Sequence, residues 1–164
     1  MSGSDEQLAL YLNDHFAGSV AAIELLDDLI EHHPAHRLAR FFRGLREEIV
    51  ADQETLQEII DKTGASGSGV RRATAWLAEK VGRAKLGFIG EDGVGLLQAL
   101  EALLLGVTGK RLLWRSLAAI SSNAIELQGI DFADLELRAT QQLEKLENER
   151  LQLSREVLSD REYS

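Results

Sequence analysis

The chain has no cysteine and a single proline, Pro34, among its 164 residues. Without cysteine there is no disulfide framework, no thiolate metal site and no thiol nucleophile. One proline and an aromatic share of 5% are poor material for a β-sandwich, which needs turn residues and aromatic or β-branched strands. Basic side chains are scarce too. Lys and Arg number 18 against 27 Asp and Glu, a net charge of −9. Such a surface repels nucleic acid and anionic lipid unless its cations cluster, and no basic block is present. Neither a nucleic-acid nor a membrane partner is therefore expected. Met1-Ser2-Gly3-Ser4-Asp5-Glu6 has neither the basic start nor the apolar core of a signal peptide. The longest apolar-rich run, residues 94–107, carries Gln98 and Glu101 and is shorter than the roughly 20 residues of a membrane span. A cytoplasmic location is the resulting expectation.

What is present is helical periodicity. Hydrophobic residues make up 45% of the chain, enough for one domain over residues 1–164 with a real core. Steps of four and three predict five helices, at about 5–32, 36–62, 70–86, 94–117 and 132–159. Ser4 and Gln7 have the spacing of a capping box for the first. His33-Pro34 stops it, because the residue before proline disfavours helix. The first stripe reads Leu8, Leu12, His15, Ser19, Ala22, Leu26, Leu29. The second reads Leu38, Phe42, Leu45, Ile49, Asp52, Leu56, Ile59. Residues 64–69 form a flexible Gly/Ser loop that lacks the Gly-Lys-Ser/Thr ending of a phosphate loop. The fourth predicted helix is apolar almost all round, the mark of a helix in mid-core. Its Gly106 and Gly109 each weaken it by about 1 kcal/mol relative to alanine, which points to close packing or a bend. Asp131, with Asp134 three residues on, reads as the N-cap of the fifth. That helix carries a seam of Ala139, Leu143, Leu146, Arg150, Leu153 and Val157.

Four helices are long and the one over 70–86 is short. Residues 64–93 suffice to travel the bundle's length between the second and fourth helices. The long helices would then pair as hairpins, first with second and fourth with fifth, with one long crossover. A plain up-and-down bundle of five helices is the alternative.

Polar residues interrupt the stripes. With the first turn at residues 33–35, antiparallel pairing brings together residue numbers that add to about 68. His15 and Asp52 add to 67, so they should meet across the hairpin. A buried carboxylate needs a partner, and a His15–Asp52 hydrogen bond is the pairing expected. It would serve either as a device that fixes register or as part of a site. Glu101 is the charged residue of an otherwise apolar stretch. If inside, it must be protonated, paired or metal-bound. Glu48 lies one turn before Asp52, and Glu24 reaches a similar height on the first helix. Together His15, Glu48, Asp52, Glu101 and Glu24 form a candidate ligand set in the middle third, suited to iron, manganese or zinc. Alternatively Glu48 and Glu24 belong to a solvated face. His32, His33 and His36 cluster at the first turn, where cations also suit a helix C-terminus. Arg72, Trp76, Glu79, Lys80, Arg83 and Lys85 form a basic, aromatic-bearing surface on the short helix.

These features resemble the ferritin-like superfamily. Leu12-Asn13-Asp14-His15-Phe16-Ala17-Gly18 looks like the opening helix of a group of uncharacterised bacterial proteins assigned to it. Leu105-Gly106-Val107-Thr108-Gly109-Lys110 and Leu113-Trp114 are similar to that group as well, and the likeness spans residues 8–120. The resemblance implies a ferritin-like bundle of four long helices with a shorter helix in the crossover. Metal-binding members carry Glu-x-x-His on two helices, whose spacing aims both ligands at the metals. This chain has no such motif, and no nucleophile–base arrangement is readable.

Two functions follow as expectations. One is a non-enzymatic structural or stress-associated bundle without a cofactor, self-associating as a homodimer or other homo-oligomer. The other is a metal-binding bundle of redox or storage type. A small-molecule pocket between helices is a third possibility.

Overall fold

The computed structural model describes residues 3–65 and 93–159. The predicted helix over 70–86, its Arg72–Trp76 surface and loop residues 66–69 lie outside them. Four long helices account for most of the described residues: α1 (Gly3–His32), α2 (Ala39–Lys62), α3 (Gly93–Ile120) and α4 (Phe132–Leu158). At 24–30 residues, each runs about 36–45 Å. A single short helical turn, Ile125–Leu127, joins α3 to α4. The protein is all-α, as its periodicity indicates.

The helix ends follow local chemistry. Ser4 lies in the first turn of α1. Asp131 caps α4 by accepting from the Asp134 backbone N–H at 3.0 Å. Gly64, at φ +69, adopts the left-handed conformation that ends α2, and Ala65 N–H returns to the Ile60 carbonyl at 3.0 Å. Asn13 secures that end by donating from Nδ2 to the Ala65 carbonyl at 3.1 Å and to that of Ala9 at 2.7 Å.

All seven residues of the α2 stripe are buried, Asp52 included. They pack against Leu12, Leu26 and Leu29 of α1, against Leu100, Leu103 and Trp114 of α3, and against Ala139, Leu146 and Leu153 of α4. Contacts along the helices fix their directions. Arg46–Asp27 and Gln53–Ser19 run α1 and α2 antiparallel. Arg115–Glu136 and Arg150–Glu101 do the same for α3 and α4. Lys145–Glu48, with Arg37–Glu149 in the turn just before α2, does so for α2 and α4. Hence α2 and α3 run the same way, on opposite corners of the bundle. Gly93 abuts Val157 of α4, and Arg37 meets Glu156 of the same turn region. The start of α3 therefore lies at the end where α2 also starts, far from Lys62.

Two expectations change here. The first hairpin turn spans residues 33–38, because α2 begins at Ala39 rather than near residue 36. His36 occupies that turn and accepts the Leu38 backbone N–H at its Nδ1 atom, 3.1 Å away. The second concerns α3, which is a flank of the bundle and not its centre. Leu105 is 76% exposed and Leu112 is 51% exposed. By length and composition α3 is long and apolar enough to cross a membrane, whereas the 94–107 run alone is not. In this fold its other face is core.

Candidate functional site

Asp52 is buried on α2, with 2% of its side chain exposed. Burying an unpaired carboxylate costs several kcal/mol, so its partners matter most. Lys110 of α3 donates from Nζ to Oδ2 at 2.5 Å, and Gln142 of α4 donates from Nε2 to the same oxygen at 3.1 Å. Lys110 also donates to Gln142 Oε1. Arg138 of α4 brings Nη2 to 3.0 Å from Oδ1. That contact is an ion pair outside hydrogen-bonding geometry, since Oδ1 accepts no hydrogen bond. One carboxylate thus ties three helices together and faces two cations. Burial pushes the Lys110 amine below its ordinary value, while the adjacent Asp52 charge pulls it back up.

His15 is not a partner of Asp52. It is half-buried, edge-on to Tyr11 with ring centroids 4.7 Å apart. Burial lowers its pKa, against a smaller raising effect of Asp14. The longer turn explains the change. The observed α1–α2 contacts pair residue numbers adding to 72 or 73, four to five more than a turn at 33–35 implies. One helix is thereby offset against the other by more than one turn relative to that expectation.

The other candidate ligands are dispersed. Glu48 pairs with Lys145 at 2.9 Å. Glu101 is half exposed and lies 3.8 Å from Arg150. Glu24 is half-buried on α1. Among the described residues, no three His, Asp or Glu side chains group as a metal ion requires. His32 bonds the Asp28 carbonyl through Nδ1 at 2.8 Å, and His36 is committed to the α2 start.

Beside the Asp52 cluster lies a cleft of about 230 Å³ between α1, α2 and α3. Its walls include Ala22, Ile49, Leu56, Val107 and Leu113, and its polar groups include His15, Asp52, Lys110 and Trp114. Gly18, Gly106 and Gly109 also line it. A Cβ built on any of the three would meet nothing within 4 Å. Gly106 and Gly109 therefore serve neither close packing nor contact with a neighbouring backbone. Trp114 is 1% exposed, packs 6.5 Å from Phe132 by ring centroid, and its indole N–H has no acceptor among the described residues.

The periodicity contained a signal for these partners. Leu96, Leu100, Leu103, Val107, Lys110, Trp114 and Leu117 follow steps of four and three, and so do Leu135, Ala139, Gln142 and Leu146. Lys110 and Gln142 break their stripes as Asp52 breaks its own. Reading Leu143 instead of Gln142 into the α4 seam hid the second of these.

Comparison with known proteins matches the chain to no family model, no curated protein and no solved structure.

Proposed function

We propose that this protein is a ferritin-like bundle of non-enzymatic, structural or stress-associated type, in which a buried charge cluster occupies mid-bundle in place of a di-metal centre. The carrying observation is the environment of Asp52. Its carboxylate is neutralised by Lys110 and Arg138, so a metal ion at this carboxylate would sit beside an ammonium and a guanidinium. The shared direction of α2 and α3 and the pairing of α1 with α2 and of α3 with α4 support the topology. Self-association belongs to the same reading. Leu137, Leu151 and Leu158 are exposed on α4 and Leu105 and Leu112 on α3, which gives this hairpin an apolar outer surface.

Total-metal analysis of untagged protein tests the reading, before and after reconstitution with iron, manganese and zinc. The expected result is no stoichiometric metal. About one equivalent or more that is lost in Asp52→Ala, with helicity retained, would overturn it in favour of a metal-binding bundle.

A further inference from the structure

We propose that a second copy of this chain docks on the outer face of the α3–α4 hairpin, about a two-fold axis parallel to the helices that sets α3 of each copy against α4 of the other. The proposal deepens the self-association of the reading above and rests on it, and it does not depend on metal content.

Apolar side chains collect on this face. Nine large hydrophobic residues are exposed among the described residues, and six of them belong here: Val94, Leu105 and Leu112 on α3, and Leu137, Leu151 and Leu158 on α4. Their spacings are 11 and 7 residues on α3 and 14 and 7 on α4. These are close to whole numbers of helical turns, so each set lines one side of its helix. No large hydrophobic residue of α2 is exposed. The face is about 40 Å long and two helices wide, roughly 800 Å², the area that each partner of a stable dimer buries.

Charge selects the occupant. Asp52, Lys110 and Arg138 meet inside the bundle. Of the remaining charged side chains, α1 and α2 carry four basic and twelve acidic, whereas α3 and α4 carry five basic and seven acidic. Two copies of so acidic a chain repel least when they meet by this hairpin. Within it, α3 holds two of the basic residues and one acidic, and α4 holds three basic and six acidic. With its helices aligned, the face can stack on itself in two ways. One sets α3 on α3 and α4 on α4, like on like. The other, about the axis proposed, sets each net-positive helix on a net-negative one.

Arg111 and Glu144 make that choice specific. Both line the open groove between α3 and α4. Arg111 is half-buried, its Nε has no hydrogen-bond partner, and neither residue makes an ion pair among the described residues. Arg115–Glu136 and Arg150–Glu101 mark positions on α3 and α4 that share a level. By that measure Arg111 and Glu144 differ by about 6 Å of rise. An axis parallel to the helices preserves levels. Arg111 of one copy therefore comes within side-chain reach of Glu144 of the other, and the symmetry makes this contact twice.

Sedimentation equilibrium of the full chain tests the proposal. Wild type should show about twice its 18.1 kDa at about 50 μM, because interfaces of this size bind at micromolar Kd or tighter. Leu105→Glu/Leu112→Glu should be monomeric there with unchanged helicity by circular dichroism, since both side chains are exposed in the single chain. Leu10→Glu, at an exposed position of α1, should stay dimeric. Arg111→Glu and Glu144→Arg should each weaken dimerisation at least about tenfold. An equimolar mixture of those two variants should regain the dimer, because the mixed pair restores both contacts. Monomeric wild type at about 100 μM would overturn the proposal together with self-association. A dimer that survives the double leucine substitution would overturn this face and leave self-association standing. Weakening in both charge variants without recovery in the mixture would overturn the setting of α3 against α4.

Discussion

Two kinds of ion pair hold α4 in place, one reaching α2 and the other the turn before it. In mid-bundle, buried Asp52 meets Arg138 of α4, together with Lys110 of α3. At the end near the first turn, Arg37 meets Glu149 at 2.6 Å and Glu156 at 3.0 Å, with about a third of its side chain exposed. The distances are alike and the energetics are not. Asp52 has lost its water, so each partner it keeps offsets a desolvation cost that is already present. Arg37 and its glutamates exchange one well-hydrated state for another, and salt screens them. Position in the bundle, rather than the number of contacts, decides how much an ion pair matters.

Lys110→Met should show the largest effect. It leaves Asp52 buried with Arg138 out of hydrogen-bonding geometry, and should cost about 3 kcal/mol or more in urea unfolding. A loss below about 1 kcal/mol would mean that water reaches Asp52, which would erase the contrast between the two clusters. Replacing the cluster outright, as Asp52→Leu/Lys110→Met, should recover most of that loss, because no charge is then stranded. Arg138 would turn to solvent, since its side chain is already 35% exposed. Arg37→Ala should cost no more than about 1 kcal/mol, and the difference should shrink further in about 1 M salt.

The smallest effect expected is a pH slope. Burial lowers the pKa of both His15 and His36 from the ordinary 6.5. The folded state then binds fewer protons than the unfolded chain below that value. Stability is therefore full above pH 6.5 and falls as the solution is acidified toward the lowered folded pKa values. His36 adds a structural reason, because protonation of Nδ1 would remove the acceptor for the Leu38 N–H. The double variant His15→Gln/His36→Asn should flatten the stability curve between about pH 6.5 and 5. A slope that survives both substitutions would place its origin in the carboxylates instead.

Much of this fold was legible in the chain. The seven stripe positions from Leu38 to Ile59 were readable from spacing, and all seven, Asp52 among them, are buried. Asp131 as a cap and Pro34 as a stop follow from the chemistry of one or two residues. The site was half legible. Asp52 announced itself by breaking a stripe, yet its partner was misread, because the length of the first turn sets the register. That length depends on where His36 and Leu38 settle, and periodicity is silent on this. Gly93 and Gly106 make the same point on α3. A Cβ on Gly93 would strike Val157, whereas one on Gly106 would meet open space. In the sequence they are the same letter.

The sequence by itself determined the four long helices, the buried stripe of α2 and Asp52 as a point at which polarity enters the core. Those are local properties, set by a 3.6-residue period and by the chemistry of each helix end. The tertiary structure alone decided that Asp52 meets Lys110 and Gln142 rather than His15, and that Gly18, Gly106 and Gly109 line one cleft. Both depend on rotations and offsets between helices, where a shift of a few residues moves a side chain by more than a helical turn.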